Sequence, residues 1–61
     1  MKKWEVIAEV DMDASKIVTI EVSANSERKA RIIATEKLKQ DHFFVNIISI
    51  KQLMENLNTY I

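Results

Sequence analysis

The stretch Ala24-Asn25-Ser26-Glu27-Arg28-Lys29-Ala30-Arg31-Ile32-Ile33-Ala34-Thr35-Glu36-Lys37-Leu38-Lys39-Gln40 decides the fold, because it reads as the only long helix, set between segments that read as strands. Asn25 and Ser26 are both N-cap types, whose short side-chain oxygens accept a bond from a free first-turn N–H. Glu27 puts negative charge at the positive end of the helix dipole, and Lys37 and Lys39 put positive charge at the other. Ala30, Ile33, Ala34 and Leu38 recur at helical spacing and form a narrow, small-sided apolar stripe suited to lying across a sheet. Ile32 falls off that stripe, among Arg28, Lys29, Thr35, Glu36 and Lys39, and reads as the flank of the core. The helix is expected over about residues 26–40.

Immediately before it, Lys16-Ile17-Val18-Thr19-Ile20-Glu21-Val22-Ser23 is rich in β-branched residues and reads as a strand. Val18, Ile20 and Val22 form its core face, with Ile17, Thr19 and Glu21 facing away. Further back, Trp4, Val6, Ala8 and Val10 alternate with Glu5, Ile7 and Glu9, the period of a half-buried strand. The connection Asp11-Met12-Asp13-Ala14-Ser15 has hairpin-loop length. The chain contains neither Gly nor Pro. A looser loop built on Asp side-chain bonds to backbone is therefore expected there rather than a tight primed turn.

After the helix, Asp41-His42 breaks the pattern, and Phe43-Phe44-Val45-Asn46-Ile47-Ile48-Ser49-Ile50-Lys51 reads as a third strand. Its nearly continuous apolar run is assigned with Phe44, Ile48 and Ile50 in the core and Val45, Ile47 and Ser49 opposite. Residues 52–61 carry Leu53, Met54, Leu57 and Tyr60/Ile61 at helical spacing, an amphipathic tail. With strands at about residues 3–10, 16–23 and 43–51, the order is strand, strand, helix, strand in a single domain spanning residues 1–61. A right-handed crossover through the helix makes the third strand parallel to the second. Placing the first strand between them makes each neighbouring pair antiparallel. The expected fold is α+β, a ββαβ sheet of order 2-1-3 with one helix on one face.

Sixty-one residues without a Cys make a small domain with no disulfide or thiolate site. Such a chain buries only roughly 60% of its unfolded surface, and small scaffolds of this kind often gain stability by oligomerising. Nothing at the start resembles a signal peptide, since Lys2-Lys3 is followed by Trp4-Glu5 and Glu9 interrupts the apolar run. No apolar run approaches the roughly 20 residues of a membrane span, and a soluble cytoplasmic protein is expected. Nine basic and nine acidic residues balance to a net charge of zero. Residues 1–24 set Lys2, Lys3 and Lys16 against Glu5, Glu9, Asp11, Asp13 and Glu21, a net of −2. Residues 25–42 set Arg28, Lys29, Arg31, Lys37 and Lys39 against Glu27, Glu36 and Asp41, a net of +2. The helix side is thus mildly basic and the hairpin mildly acidic.

Candidate chemistry is sparse. His42 stands alone, without the Cys or second His that a nucleophilic or metal site needs, and is expected to finish the helix near its last carbonyls. Asp11-Met12-Asp13 has the opening spacing of a calcium loop but lacks the Gly and the downstream bidentate Glu. Glu5, Glu9 and Glu21 project from the open face, as period-two acids on any solvated strand do. No paired-carboxylate spacing and no phosphate-binding loop occurs, so no catalytic site, cofactor or metal is expected. The basic helix residues Arg28, Lys29, Arg31 and Lys39 offer contacts to phosphates, without the aromatic platform that stacks bases.

The run from Val18-Thr19-Ile20-Glu21-Val22-Ser23-Ala24-Asn25-Ser26-Glu27 through Ala30 to Ile48-Ser49-Ile50-Lys51-Gln52-Leu53 resembles small phage and prophage proteins of Gram-positive bacteria. Those proteins share a hairpin, an Ala-Asn-Ser-Glu-type helix entry and an isoleucine-rich last strand. More distantly, the strand-strand-helix-strand order is similar to the archaeal ribosomal protein LX fold. The likeness covers about residues 4–53. It implies a small accessory protein in the first case and ribosomal RNA as partner in the second, and transfers no binding residue.

These observations lead to a non-catalytic interaction or structural accessory protein. It is expected to form a homodimer, or to bind another protein, through the open sheet face and the tail. The residues expected to carry that contact are Ile7, Ile17, Ile47, Leu53, Leu57 and Tyr60. The alternative is a weak nucleic-acid-binding module using Arg28, Lys29, Arg31 and Lys39.

Overall fold

The computed structural model of the protein describes residues 1–54. The alternation read from the sequence sets the sheet. In β1 (Lys2–Val10), Trp4, Val6, Ala8 and Val10 are buried and Glu5, Ile7 and Glu9 turn to the other side. β2 (Asp13–Ala24) buries Val22 and Ala24 and half-buries Val18 and Ile20 on the same face. Helix α1 (Glu27–Lys39) follows, and β3 (Val45–Leu53) closes a three-stranded antiparallel sheet of order β2-β1-β3. The fold is α+β, with the helix on one face as the sequence demands.

Ser26 is the N-cap: its extended backbone lets the hydroxyl accept from the Lys29 N–H at 3.2 Å. The buried stripe of α1 is Ala30, Ala34 and Leu38. Alanine at two of those positions lets the helix backbone approach the sheet, and the bulk of the layer comes from the strands. Trp4, Val6, Val22 and Ala24 pack with Ala30 and Ala34, and Ile20, Ile33, Ile47 and Ile50 surround them. Burying an indole requires a partner for its N–H. Trp4 Nε1 donates to the Ala24 carbonyl at 2.9 Å, tying the centre of the sheet to the end of β2 where the chain turns into the helix.

Two expectations are corrected. The β1–β2 connection is a two-residue hairpin, not a loose loop. Val10 pairs with Asp13, and the intervening Asp11 and Met12 have φ of 58° and 56°. Positive φ at both central residues is the type I′ condition that follows strand twist, usually met by Asn or Gly. Aspartate tolerates this region; Met12 adopts it at a cost of about 1 kcal/mol or more. Beyond the turn, Ala14, Ser15 and Lys16 have no partner in β1, because pairing resumes at Glu9 with Ile17. Asp13 Oδ1 holds that irregularity by accepting from the Ser15 N–H at 2.9 Å and the Ser15 hydroxyl at 2.7 Å.

The second correction concerns β3. Ile7 pairs with Ser49 and Ala8 with Ile47, so Ile48 is an extra residue in a β-bulge. A bulge inverts the alternation that a single register assumes. Above it, Ile50 faces the helix and Ser49 and Lys51 face away. Below it, Val45 and Ile47 lie on the helix side, opposite Val10 and Ala8. Ile47, expected on the open face, packs against the core, and Ile48, expected in the core, is 56% exposed. Phe44 is half-buried just before the strand. β3 also continues to Leu53, which pairs with Lys3, so Leu53 belongs to the sheet rather than to a tail helix. Leu57 and Tyr60 lie outside the described residues.

Candidate interaction surface

The strand registers define the face that α1 leaves uncovered. Reading across β2, β1 and β3, its rows are Ile17, Glu9 and Asn46; Thr19, Ile7 and Ser49; Glu21, Glu5 and Lys51; Ser23, Lys3 and Leu53. Of the apolar set expected here, Ile7 is half-buried at the centre, Ile17 is 48% exposed at one edge, and Leu53 is half-buried at the far corner. Ile47 is absent from this face because the bulge turns it to the helix side.

Charges fill the rest. Glu5 and Glu21 lie directly opposite one another, which alone is unfavourable. Lys3 Nζ stands 3.7 Å from Glu21 Oε1, and Lys51 is the register partner of Glu5 on β3 without forming an ion pair with it. Of the two carboxylates, only Glu21 is thereby paired within the surface, and such an exposed pair contributes little stability. Asn46 Nδ2 donates to Glu9 Oε1 at 3.4 Å. Lys51 was not among the residues singled out on the sheet, yet it sits beside the acidic pair. The face is a charged lattice around three apolar side chains.

At one end of the sheet the hairpin tip is fastened to the segment that follows α1. Asp11 Oδ1 accepts from the Phe43 N–H at 3.0 Å, Asp11 Oδ2 lies 2.9 Å from His42 Nδ1, and the Asp11 N–H donates to the Phe44 carbonyl at 2.9 Å. The carboxyl of Asp11 is held below its ordinary range first by the His42 hydrogen bond. Partial burial opposes this; the Phe43 N–H and the charges of His42 and Lys16 add to it. Asp13 is lowered first by the Ser15 hydroxyl and then by the Ser15 N–H. The backbone N–H of His42 donates to the Leu38 carbonyl at 3.0 Å just beyond α1, but the imidazole, expected at the last helix carbonyls, turns instead to Asp11 on the hairpin. The clasp brings Met12, 71% exposed, and Phe43, 77% exposed, to the same end of the molecule. Sequence reasoning missed this, because Asp11 and His42 are thirty-one positions apart and no local spacing links them.

Arg28, Lys29, Arg31 and Lys39 are all exposed on α1, away from the Ala30–Ala34–Leu38 stripe. At about 100° per residue, Arg28 and Lys39 lie with Ile32 and Glu36 along the outer side, while Arg31 and Lys29 occupy opposite flanks. They do not converge on one spot. Among the described residues there is no pocket, no group of three or more His, Asp or Glu side chains placed to hold a metal ion, and no helix long and apolar enough to cross a membrane. The chain matches no family model, no curated protein and no solved structure.

Proposed function

We propose that this protein is a small, non-catalytic interaction module of the cytoplasm that self-associates through the open face of its sheet, with the residues after β3 taking part. The observation that supports the reading is the row structure of that face, with Ile7, Ile17 and Leu53 set among charged side chains of which Lys3 and Glu21 pair. Non-obligate interfaces are no more apolar than ordinary protein surface, so a mixed face of this kind is suitable. The resemblance of residues 4–53 to small phage-type proteins fits an accessory role.

Dimensions limit the strength. A nine-residue strand is about 30 Å long and three strands span about 14 Å, giving roughly 400 Å² per copy. Standard interfaces bury about 800 Å² per partner. Association through the sheet alone is therefore weak and concentration-dependent. Sedimentation of the full chain over a concentration series tests this, with Ser49→Lys as the probe. That substitution puts a charge beside Ile7 at the centre of the face and leaves the β2 edge untouched. The expected result is a mass rising towards two chains for the natural sequence and a weakened rise for Ser49→Lys. Equal behaviour of the two proteins removes the open face from the account.

A further inference from the structure

We propose that β2 is a pairing edge, and that two copies join along it in antiparallel register, centred on Thr19, to make one six-stranded sheet. This goes beyond the open-face reading, because it uses the backbone groups of an edge strand rather than the side chains of a face. Residues Ile17 to Ala24 pair in unbroken register with Glu9 to Lys2 on one side, and no strand flanks them on the other among the described residues. Alternate residues of such a strand point both N–H and C=O outward, which is a ready template for another strand.

Proteins protect sheet edges with prolines, bulges and charges. The β3 edge has its Ile48 bulge and Lys51. The β2 edge has none of these along Ile17-Val18-Thr19-Ile20, a β-branched run without charge or Pro. Ile17 and Thr19 are exposed on the open side, and Val18 and Ile20 are only half-buried on the helix side. The strand therefore presents apolar side chains on both faces at its rim.

Charge placement selects a second copy in antiparallel register as the partner. Lys16 precedes the neutral run and Glu21 follows it. With Thr19 opposite Thr19 of the second copy, Val18 meets Ile20, and the Lys16 end of each strand runs beside the Glu21 end of the other. The two Glu21 carboxylates are then about 14 Å apart along the strands, beyond the roughly 8 Å over which physiological salt screens them. Centring the pair on Ile20 instead brings them to about 7 Å. Parallel pairing sets Glu21 against Glu21. Matched Thr side chains across a strand pair are favourable.

Amide hydrogen exchange on the full chain at increasing concentration, with sedimentation in parallel, tests the proposal. At low concentration every second β2 amide exchanges quickly. As the mass rises to two chains, those same amides slow by at least about tenfold, so that the whole run 17–23 is protected. A two-chain mass without that slowing overturns the edge pairing and leaves the open-face reading standing. Overturning outcomes also include a one-chain mass at all concentrations, or protection already complete at the lowest, as from a segment of the same chain. Thr19→Lys and Thr19→Glu are each expected to lose the concentration-dependent slowing of the β2 amides, and their mixture to restore it; a mixture without that slowing contradicts the register.

Discussion

Trp4→Phe probes the layer that joins helix, sheet and chain reversal. The indole is buried between β1, β2 and α1, and its Nε1 donates to the Ala24 carbonyl at 2.9 Å, where β2 gives way to the helix. Phenylalanine keeps an aromatic ring but removes the donor. A buried carbonyl left without that partner costs about 1–3 kcal/mol. The smaller ring also leaves a void, and complete removal of a buried aromatic, about 3–5 kcal/mol, sets the upper limit. The expected loss is therefore about 2–4 kcal/mol. A domain of 61 residues has roughly 3–9 kcal/mol of stability in all, so the variant loses a large share. Urea unfolding followed by far-UV circular dichroism at low protein concentration measures it, and thermal unfolding shows Tm falling by at least about 8 °C. Ile32→Ala is the comparison: Ile32 lies 52% exposed on the outer helix, and its loss is expected to stay within about 0.5 kcal/mol. A Trp4→Phe cost as small as that of Ile32→Ala refutes the placement of Trp4 under the helix.

Three further predictions concern the ends of the elements. Ser26→Ala removes the cap on Lys29 N–H and is expected to cost about 1 kcal/mol in the same urea assay; no change means another group caps α1. Met12→Gly relieves the positive φ of the hairpin and should stabilise by about 0.5–1 kcal/mol, provided the turn is the type I′ described. Asp11 and Asp13 both have lowered carboxyl pKa values in the folded chain. Their contribution to stability is therefore complete above the unfolded value near pH 4 and is lost as pH falls through the folded values. Asp11→Asn tolerates the same backbone region, so it should flatten the acid-unfolding profile below about pH 4, and an unchanged profile argues against the His42–Phe43 clasp.

Strand alternation and the helix stripe were legible from the residues because each depends on a local period. Trp4, Val6, Ala8 and Val10 are buried as their spacing requires, and Ser26 caps the helix from the position its chemistry suggests. The sheet order followed from placing β1 between β2 and β3, which makes every neighbouring pair antiparallel. What escaped depended on partners distant in the chain. The near-continuous apolar run Val45–Ile50 has no internal signal for a bulge, so placing Ile47 outward and Ile48 inward was a consequence of assuming one register. The tight Asp11-Met12 turn breaks the usual Gly preference, and Asp11 is fastened by His42 and Phe43, which only tertiary structure brings near. The open face was foreseen as a surface but not in its composition. Losing Val45 and Ile47 to the helix side leaves it more charged and its apolar set smaller.

The reading proposed for this chain is that the uncovered face of its sheet joins two copies. Its most direct measurement is sedimentation velocity of the full chain from dilute to millimolar solution at physiological salt, beside Ser49→Lys. The account predicts a mass that climbs reversibly from one chain towards two and a weaker climb for the variant. A single-chain mass throughout contradicts it.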